Sequence, residues 1–527
     1  MASSKRNEIN PSLIANKKND IIATNVRLRI QKVLSHMEEN RKISCSSTIL
    51  KANNCSGNHN TDKILDIEDM VSQKQEYVDE SDLMEQDKYL LDPKLYRESQ
   101  KPLLEASTLP RHCYLSNRWY RHELNKAFLP SWTIIGREDE IPEPGMFLTL
   151  DLPWAGPIAV CRANDMKLYA FANSCKHRGA KVLQDKKGKA SVLGLVCPYH
   201  AWTYDFDGVL KWAPGMNNAK NFNEDDIALA PIHIDTFHGF IFINALPRRK
   251  DIKLKSLKES LGDISKHLQP WFDPVHGKAK NMKCVKRRTY IIDCNWKFLM
   301  ENTCETYHTS VVHKNSLGPM KAKPVDPHVG DWDAVRVPSK RSIVPLPTDF
   351  KYVANPLPPF TDQTAFVNIF PSCQINATWD CLWFMRLIPL GVNKTEIEMG
   401  FCFPNETIAM QQFPSVLPEY LKRWHIAVSE DNAISLNQRI GVESIHRVPG
   451  RFSQLEFGTH NFNNWLINKV IPKEISGFEW NPGKRVFVGR KDELFSNDDE
   501  KMMELVENGH LHPFFVHHLQ YLHHLHY

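Results

Sequence analysis

Long apolar runs are missing from this 527-residue chain. A helix needs about eighteen or more consecutive apolar residues to cross a bilayer. No such stretch occurs, and even the run 381–387 is broken by Arg386, so no membrane span is expected. Charge of one sign is scarce too. The formal net charge is +5, small for the length, and no nucleic-acid motif accompanies it, so no nucleic-acid partner is expected. A GxGxxG fingerprint is absent, which leaves the chain without a recognisable flavin or nicotinamide site of its own. The twelve cysteines are scattered and form no dense disulfide framework. Cysteines beside histidines at tight spacing favour an intracellular, soluble, metal-binding chain. The N-terminus lacks the compact apolar core and cleavage site of a secretory signal.

What is present begins with a charge patchwork. Residues 1–35 hold seven Lys or Arg against two acids, a pattern shared by organelle transit peptides and plain basic tails. Cytoplasm and organelle therefore stay open as the compartment. Residues 61–100 reverse the sign, with twelve acids against five bases. Low hydrophobicity and such charge predict that 1–105 is a largely disordered extension, with order beginning near Leu109. In 106–130, Leu115, Trp119, Leu124 and Phe128 recur at helical spacing until Pro130 stops them, so a helix is expected there, packing on the larger C-terminal domain.

Short alternating runs come next, at 132–136, 146–150, 158–162 and 168–172, with a further set at 229–245 ending in GFIFINAL. They predict an all-β domain over 131–248. The stretch 247–280, rich in Lys and Pro, reads as a connector with one helix. Over 249–527 strands are expected at 289–293, 366–370, 381–389 and 397–403, and helices at 296–308 and across 415–440. The fold class is α+β: an all-β domain followed by a larger domain of antiparallel sheet and helices.

Two Cys–His pairs sit among the first strands. The segment NSCKHRGAKV carries Cys175 and His177, and CPYHAWTYDFDG carries Cys197 and His200. Two short pairs on neighbouring loops can converge on one metal site. Finger-type zinc sites place both cysteines in one pair and both histidines in the other. Here each pair is mixed. Mixed pairs on two loops suit a Rieske [2Fe-2S] centre, in which two cysteines hold one iron and two histidines the other, and this occupant is favoured over zinc.

A second cluster stands in NWKFLMENTCETYHTSVVHKNSLG, residues 295–318, with Glu305, His308 and His313. Two histidines and a carboxylate with open positions mark ferrous non-haem oxygenases. Glu305 and His308 are one helical turn apart. His308 and His313 would lie about 140° apart around an ideal helix, so the helix must distort or end between them, which Thr309, Ser310, Val311 and Val312 permit. The bland alternative is an amphipathic helix with two incidental histidines.

The CxHRG and CPYHxWxYDxxG loops resemble the Rieske domain of the aromatic-ring-hydroxylating oxygenases, and the pattern N-W-K-x3-E-N-x2-[DE]-x-Y-H-x4-H resembles the iron segment of the same family. The resemblance implies a Rieske domain joined to a helix-grip-like catalytic domain holding mononuclear Fe(2+). It implies His308 and His313 as iron ligands, Asn302 as a residue of the catalytic segment, and Glu305 as a carboxylate that does not bind iron. Glu305 would instead hydrogen-bond between the iron site and His200 of the next subunit in a head-to-tail homotrimer. The third ligand is expected within SEDNAISLNQRIGVES, residues 429–444. Asp431 is chosen, with Glu430 as the competitor. A separate NAD(P)H-dependent reductase is implied, with O2 and a small organic molecule as substrates.

Glu in place of the usual Asp at 305 resembles the branch that oxidises quaternary ammonium compounds such as choline and carnitine. Phe370, Trp379, Trp383 and Phe384 lie in a segment resembling its core strands, and aromatic faces attract such cations. Sterol or aromatic-ring oxidation, a cluster-bearing electron carrier without catalysis, and a zinc-stabilised binding module are the competing readings. Seven of the twenty-three histidines follow residue 509, where a docking helix accounts for the pattern better than a metal site. The basic run Lys286, Arg287, Arg288 is a candidate for meeting an acidic reductase, against a plain solvated strand end.

Overall fold

The computed structural model describes residues 87–249, 252–272, 281–325, 329–338, 363–378 and 380–471. The basic N-terminal stretch, Trp379 and the histidine-rich C-terminus fall outside them. Packing starts earlier than the expected 105 boundary. Tyr96 is fully buried and lies parallel to Trp119 with ring centroids 5.2 Å apart, so the apolar residues of 90–109 belong to the folded body. The expected helix is present as α1, Asn117–Glu123, capped where Ser116 Oγ accepts from the Trp119 amide. One wider turn, Leu124–Phe128, extends it towards Pro130.

Ten strands come after it: β1 Thr133–Arg137, β2 Met146–Leu152, β3 Gly156–Arg162, β4 Leu168–Ala172, β5 Lys187–Lys189, β6 Leu195–Val196, β7 Thr203–Tyr204, β8 Leu210–Trp212, β9 His233–Phe237 and β10 Phe240–Asn244. They form sheets ordered β4-β3-β2-β5, β6-β7-β8 and β1-β10-β9. The connector carries three short helical turns between Leu257 and Phe272, where the sequence predicts one helix. Gly262 and Asp263 divide the first two, and Gly262 lies at positive φ against the Val329 carbonyl, a conformation and an approach that a side chain would block.

Among the described residues, the second half is built on a seven-stranded antiparallel sheet. Its strands are β11 Met282–Ile292, β12 Lys323–Pro324, β13 Trp332–Pro338, β14 Gln363–Ile369, β15 Cys373–Ala377, β16 Leu382–Gly391 and β17 Lys394–Pro404, ordered β11-β17-β16-β15-β14-β13-β12. Helices α2 (Trp296–Thr303), α3 (Thr309–Val312), α4 (Phe413–Glu443) and α5 (Phe457–Val470) complete it. Side chains alternate across a strand, and the two faces have separate cores. Trp383, Met385, Met399 and Phe401 pack with Trp296, Phe298, Trp424 and Trp465 of the helices. Leu382, Phe384, Ile375 and Cys402 pack with Trp132, Ile134, Phe240 and Phe242 on the opposite side.

The same alternation makes β1 and β10 a wall shared by the two halves. Ile134, Phe240 and Phe242 face the large sheet, whereas Ile135, Ile241 and Ile243 face the core of β2, β3 and β4. Burial on both faces explains why GFIFINAL is apolar at almost every position. A charged clasp crosses this wall. The Arg386 guanidinium donates to the Ile134 and Ile135 carbonyls at 2.8 and 2.9 Å and pairs with Glu398. Arg287 joins Glu398 at 2.9 Å and Glu140 at 2.6 Å. Arg287 is thus engaged inside the protein and is not part of a solvent-facing basic run. No helix among the described residues is long and apolar enough to cross a membrane.

Candidate metal centres and substrate cavity

The two Cys–His loops are built alike. The Cys175 carbonyl accepts from the Gly179 amide at 2.8 Å, and the Cys197 carbonyl from the Ala201 amide at 3.1 Å. Each turn is closed by a residue at positive φ, Gly179 and Ala201. The cysteines point inward and are buried, while His177 and His200 are exposed. The two imidazoles present their Nδ1 atoms to each other at 3.1 Å. Trp202 stacks on His177 at 4.9 Å, and Tyr199 lies 3.7 Å from the His200 ring centre. The Tyr204 hydroxyl sits 3.2 Å from the Cys175 sulfur and accepts from the Lys176 amide at 3.0 Å. Two inward thiols and two facing imidazole nitrogens are the donor set of a Rieske cluster, and the four residues fit that group.

The second centre differs from expectation in its local fold. Helix α2 stops at Thr303, before Glu305, so Glu305 and His308 do not share a helix. Gly458 at the start of α5 presses on this turn; a Cβ there would stand 2.1 Å from the Cys304 carbonyl oxygen. Released from the helix, the Glu305 carboxylate folds back and accepts from the amides of Tyr307 and His308. It also meets His308 Nδ1 at 2.6 Å. His308 and His313 then flank the single turn α3, which brings their ring centroids to 5.2 Å.

Asp431 and Glu430 lie in the middle of the 31-residue helix α4. Neighbours on a helix project about 100° apart, and the two acids reach different atoms. Asp431 Oδ1 lies 3.0 Å from His313 Nε2 and 3.5 Å from His308 Nε2. Glu430 meets His313 Nδ1 at 2.7 Å and the Ser316 hydroxyl at 2.5 Å. Each imidazole thus has its Nδ1 at a carboxylate and its Nε2 turned to a common point. Asp431 Oδ1 is buried without a well-formed hydrogen bond, and the ligand atoms of His308, His313 and Asp431 all lie within 4.8 Å of one another. Such a set fits a metal ion held by two histidines and a carboxylate. Burial opposes charge on His313, yet Asp431 and Glu430 outweigh it and push its pKa up to about 9. The same balance, with Glu305 as chief partner, raises that of His308. The carboxylates around the two rings favour positive charge at the cluster itself.

Residues 131–223 match the Rieske [2Fe-2S] domain, and residues 279–471 match the ring hydroxylating alpha subunit (catalytic domain). The chain belongs to the Rieske oxygenases. As a Rieske non-haem iron monooxygenase it requires a [2Fe-2S] cluster and a mononuclear iron. The glycine betaine monooxygenase oxygenase subunit of Chromohalobacter salexigens is 25% identical over 402 residues, covering 69% of this chain and 86% of that one. Chloroplastic choline monooxygenase of Beta vulgaris is 25% identical over 371 residues, covering 69% and 77%. The carnitine monooxygenase oxygenase subunit of Escherichia coli is 31% identical over 209 residues, covering 40% and 53%. The fold matches that of the quaternary ammonium Rieske monooxygenase CntA, with a TM-score of 0.59 at 22% identity, covering 72% and 98%.

Beside the Rieske oxygenase's triad is a cavity of about 120 Å³. The large sheet supplies its floor in two cross-strand rows. One row is Gln374, Met385 and Met399; the other is Phe366, Asn376 and Trp383. Asn302 and Glu305 border it on one side, and Arg423, Trp424, Ala427 and Val428 of α4 on another. Of the aromatics expected here, Trp383 lines the cavity. Phe384 faces the opposite core, and Phe370 packs against Phe462 and Trp465. Sequence reasoning missed Trp424 and Arg423, although Trp424 lies seven residues before Asp431, two helical turns along the same face.

Proposed function

We propose that this chain is the oxygenase component of a monooxygenase that hydroxylates a small quaternary ammonium compound. The cavity carries the reading: about 120 Å³ in size, bordered by the His308–His313–Asp431 cluster and floored by Trp383 and Phe366, whose ring centroids are 6.1 Å apart. A space of this order suits a molecule of about benzene's bulk, and aromatic walls attract alkylammonium groups. A sterol is too large for it. The relatives named for glycine betaine, choline and carnitine support the same substrate class.

In this reading Cys175, His177, Cys197 and His200 hold the cluster, and His308, His313 and Asp431 hold the iron. Bound there, the two centres supply one-electron transfer and oxygen activation. Glu305 keeps the His308 ring in the orientation that offers Nε2 to the metal, and Glu430 does so for His313. Asn302 closes the cavity near Glu305. The exposed His200 imidazole lies against exposed Tyr199, and Val192, Leu193 and Trp212, in and just before the β6-β7-β8 sheet, are exposed as well, apolar surface suited to burial against another protein. We infer that it serves a head-to-tail homotrimer and a separate NAD(P)H-dependent reductase.

The test is oxygen uptake by the iron-loaded protein with a reductase and NADH, offered choline, glycine betaine, carnitine, naphthalene or a sterol. Uptake with matching formation of an oxidised quaternary ammonium product is expected. Coupled oxidation of naphthalene or the sterol alone would overturn the reading.

A further inference from the structure

The cavity is not a plain aromatic box. Arg423 lines it while only 4% exposed. Its guanidinium carbon lies 4.5 Å from the ring centres of both Tyr420 and Trp424, and one of its amino groups lies 3.9 Å from the Cys381 sulfur. The Trp424 ring is further covered by Phe401, stacked at 4.6 Å. The open aromatic surface is therefore on Trp383 and Phe366, and a fixed cation already sits beside it. Among the described lining residues Arg423 is the one Lys or Arg, whereas Glu305 and Asp431 both border the metal cluster. The buried acid nearest in sequence to this wall, Asp380, accepts from the Thr378 hydroxyl at 3.1 Å and the Tyr420 hydroxyl at 2.5 Å and does not line the cavity.

Arg423 and Asp431 share helix α4, eight residues and so about 12 Å apart along its axis. The cavity thus has polarity: a metal cluster at one end and a guanidinium towards the other. The acids of the lining, Glu305 and Asp431, stand at the metal end, with Glu430 behind His313, so the charge a divalent metal brings is largely offset there. Aromatic contact, worth about 0.5–2 kcal/mol, draws an alkylammonium group to the wall whether or not the ligand carries a carboxylate. A carboxylate at the far end adds an interaction with the guanidinium, which is strong in a desolvated site.

We propose that Arg423 is a substrate-binding residue that selects a zwitterion, a quaternary ammonium compound bearing a carboxylate on the side away from the metal, over choline-like cations. The proposal rests on the quaternary ammonium reading of the cavity.

The test measures binding rather than turnover. The iron-loaded enzyme is titrated calorimetrically under nitrogen with γ-butyrobetaine, its methyl ester and choline. The acid is expected to bind about 10- to 100-fold more tightly than the ester or choline, as one charge-assisted interaction allows. Arg423→Gln should bring that ratio close to one while leaving the weak affinity for the ester unchanged, and Arg423→Lys should restore part of it. If the ester or choline binds the wild type as tightly as the acid, the selection proposal falls and the quaternary ammonium reading stands. If Arg423→Gln and Arg423→Lys weaken all three ligands equally, Arg423 merely shapes the wall and the proposal falls. If none of the three binds, the quaternary ammonium reading fails and takes the proposal with it.

Discussion

Asp431→Ala and Glu430→Gln change adjacent residues on one helix, yet they should act very differently. Asp431 Oδ1 lies 3.0 and 3.5 Å from the two Nε2 atoms, so in the proposed reading Asp431→Ala removes one of three ligands together with its charge. Glu430 touches the other side of His313, at Nδ1, 2.7 Å away. Glu430→Gln keeps an oxygen to accept from that ring nitrogen but loses the charge. A charge-assisted hydrogen bond is roughly twice as strong as a neutral one, so the loss is about 1–1.5 kcal/mol. That corresponds to about a tenfold weaker hold on the metal. Iron per chain, measured by plasma mass spectrometry, should fall from about three to about two in Asp431→Ala, the cluster's two irons remaining. In Glu430→Gln it should stay near three until a chelator is added. The reduced-cluster spin-resonance signal should survive in both. Should Glu430→Gln empty the site while Asp431→Ala keeps its iron, the roles of the two acids are reversed.

Three further outcomes are expected. Glu305→Gln should leave iron content and the cluster spectrum intact but lower coupled oxygen uptake by about 10- to 100-fold; unchanged turnover would count against a role beyond shape. Burial disfavours the charged Glu398 carboxylate, but Arg386 and Arg287 outweigh this and hold its pKa near 2, against an ordinary 4.5. It therefore contributes stability above pH 4.5 that is lost as pH falls towards 2. Glu398→Gln should flatten that part of the acid denaturation profile, and Arg386→Met should cost about 3 kcal/mol or more in urea titrations at pH 7. Glu301 is the opposite case: burial, only partly offset by Tyr114 and Lys297, pushes its carboxyl up to about 7. Stability should decline as pH rises from 4.5 to 7, and Glu301→Gln should remove that slope in thermal melts.

The cluster loops are legible in the sequence because their chemistry is local: four donors, two short spacings and the turn residues beside them. The choice of Asp431 rests on its surrounding motif, and the 100° step between helical neighbours separates the two acids physically. The break after Thr303 is not legible. The turn there is packed by Gly458, which closes on Cys304 from more than 150 residues away. Trp383 and Phe384 do not act as a pair because a strand sends neighbours to opposite faces. Trp383 meets the cavity and Phe384 the other core. A signal exists: Gln374 and Asn376 alternate with Cys373, Ile375 and Ala377, which marks a polar-floored face, and strand register then selects Trp383. Arg423 has no comparable marker, since a basic residue beside Lys422 on a helix reads as solvent-facing until packing is known.

The shared wall of β1 and β10 has a consequence for how electrons can be delivered. Because its two faces belong to two different cores, the cluster domain is not a bead on a tether. Cutting it free would expose Ile134, Phe240 and Phe242 and sever the ties of Arg386 to the Ile134 and Ile135 carbonyls. A domain fixed in this way is not free to swing. In the proposed assembly, reach would come from where the exposed histidines are aimed when chains meet, and an excised cluster domain should be a sticky, unstable fragment rather than a freely diffusing electron carrier.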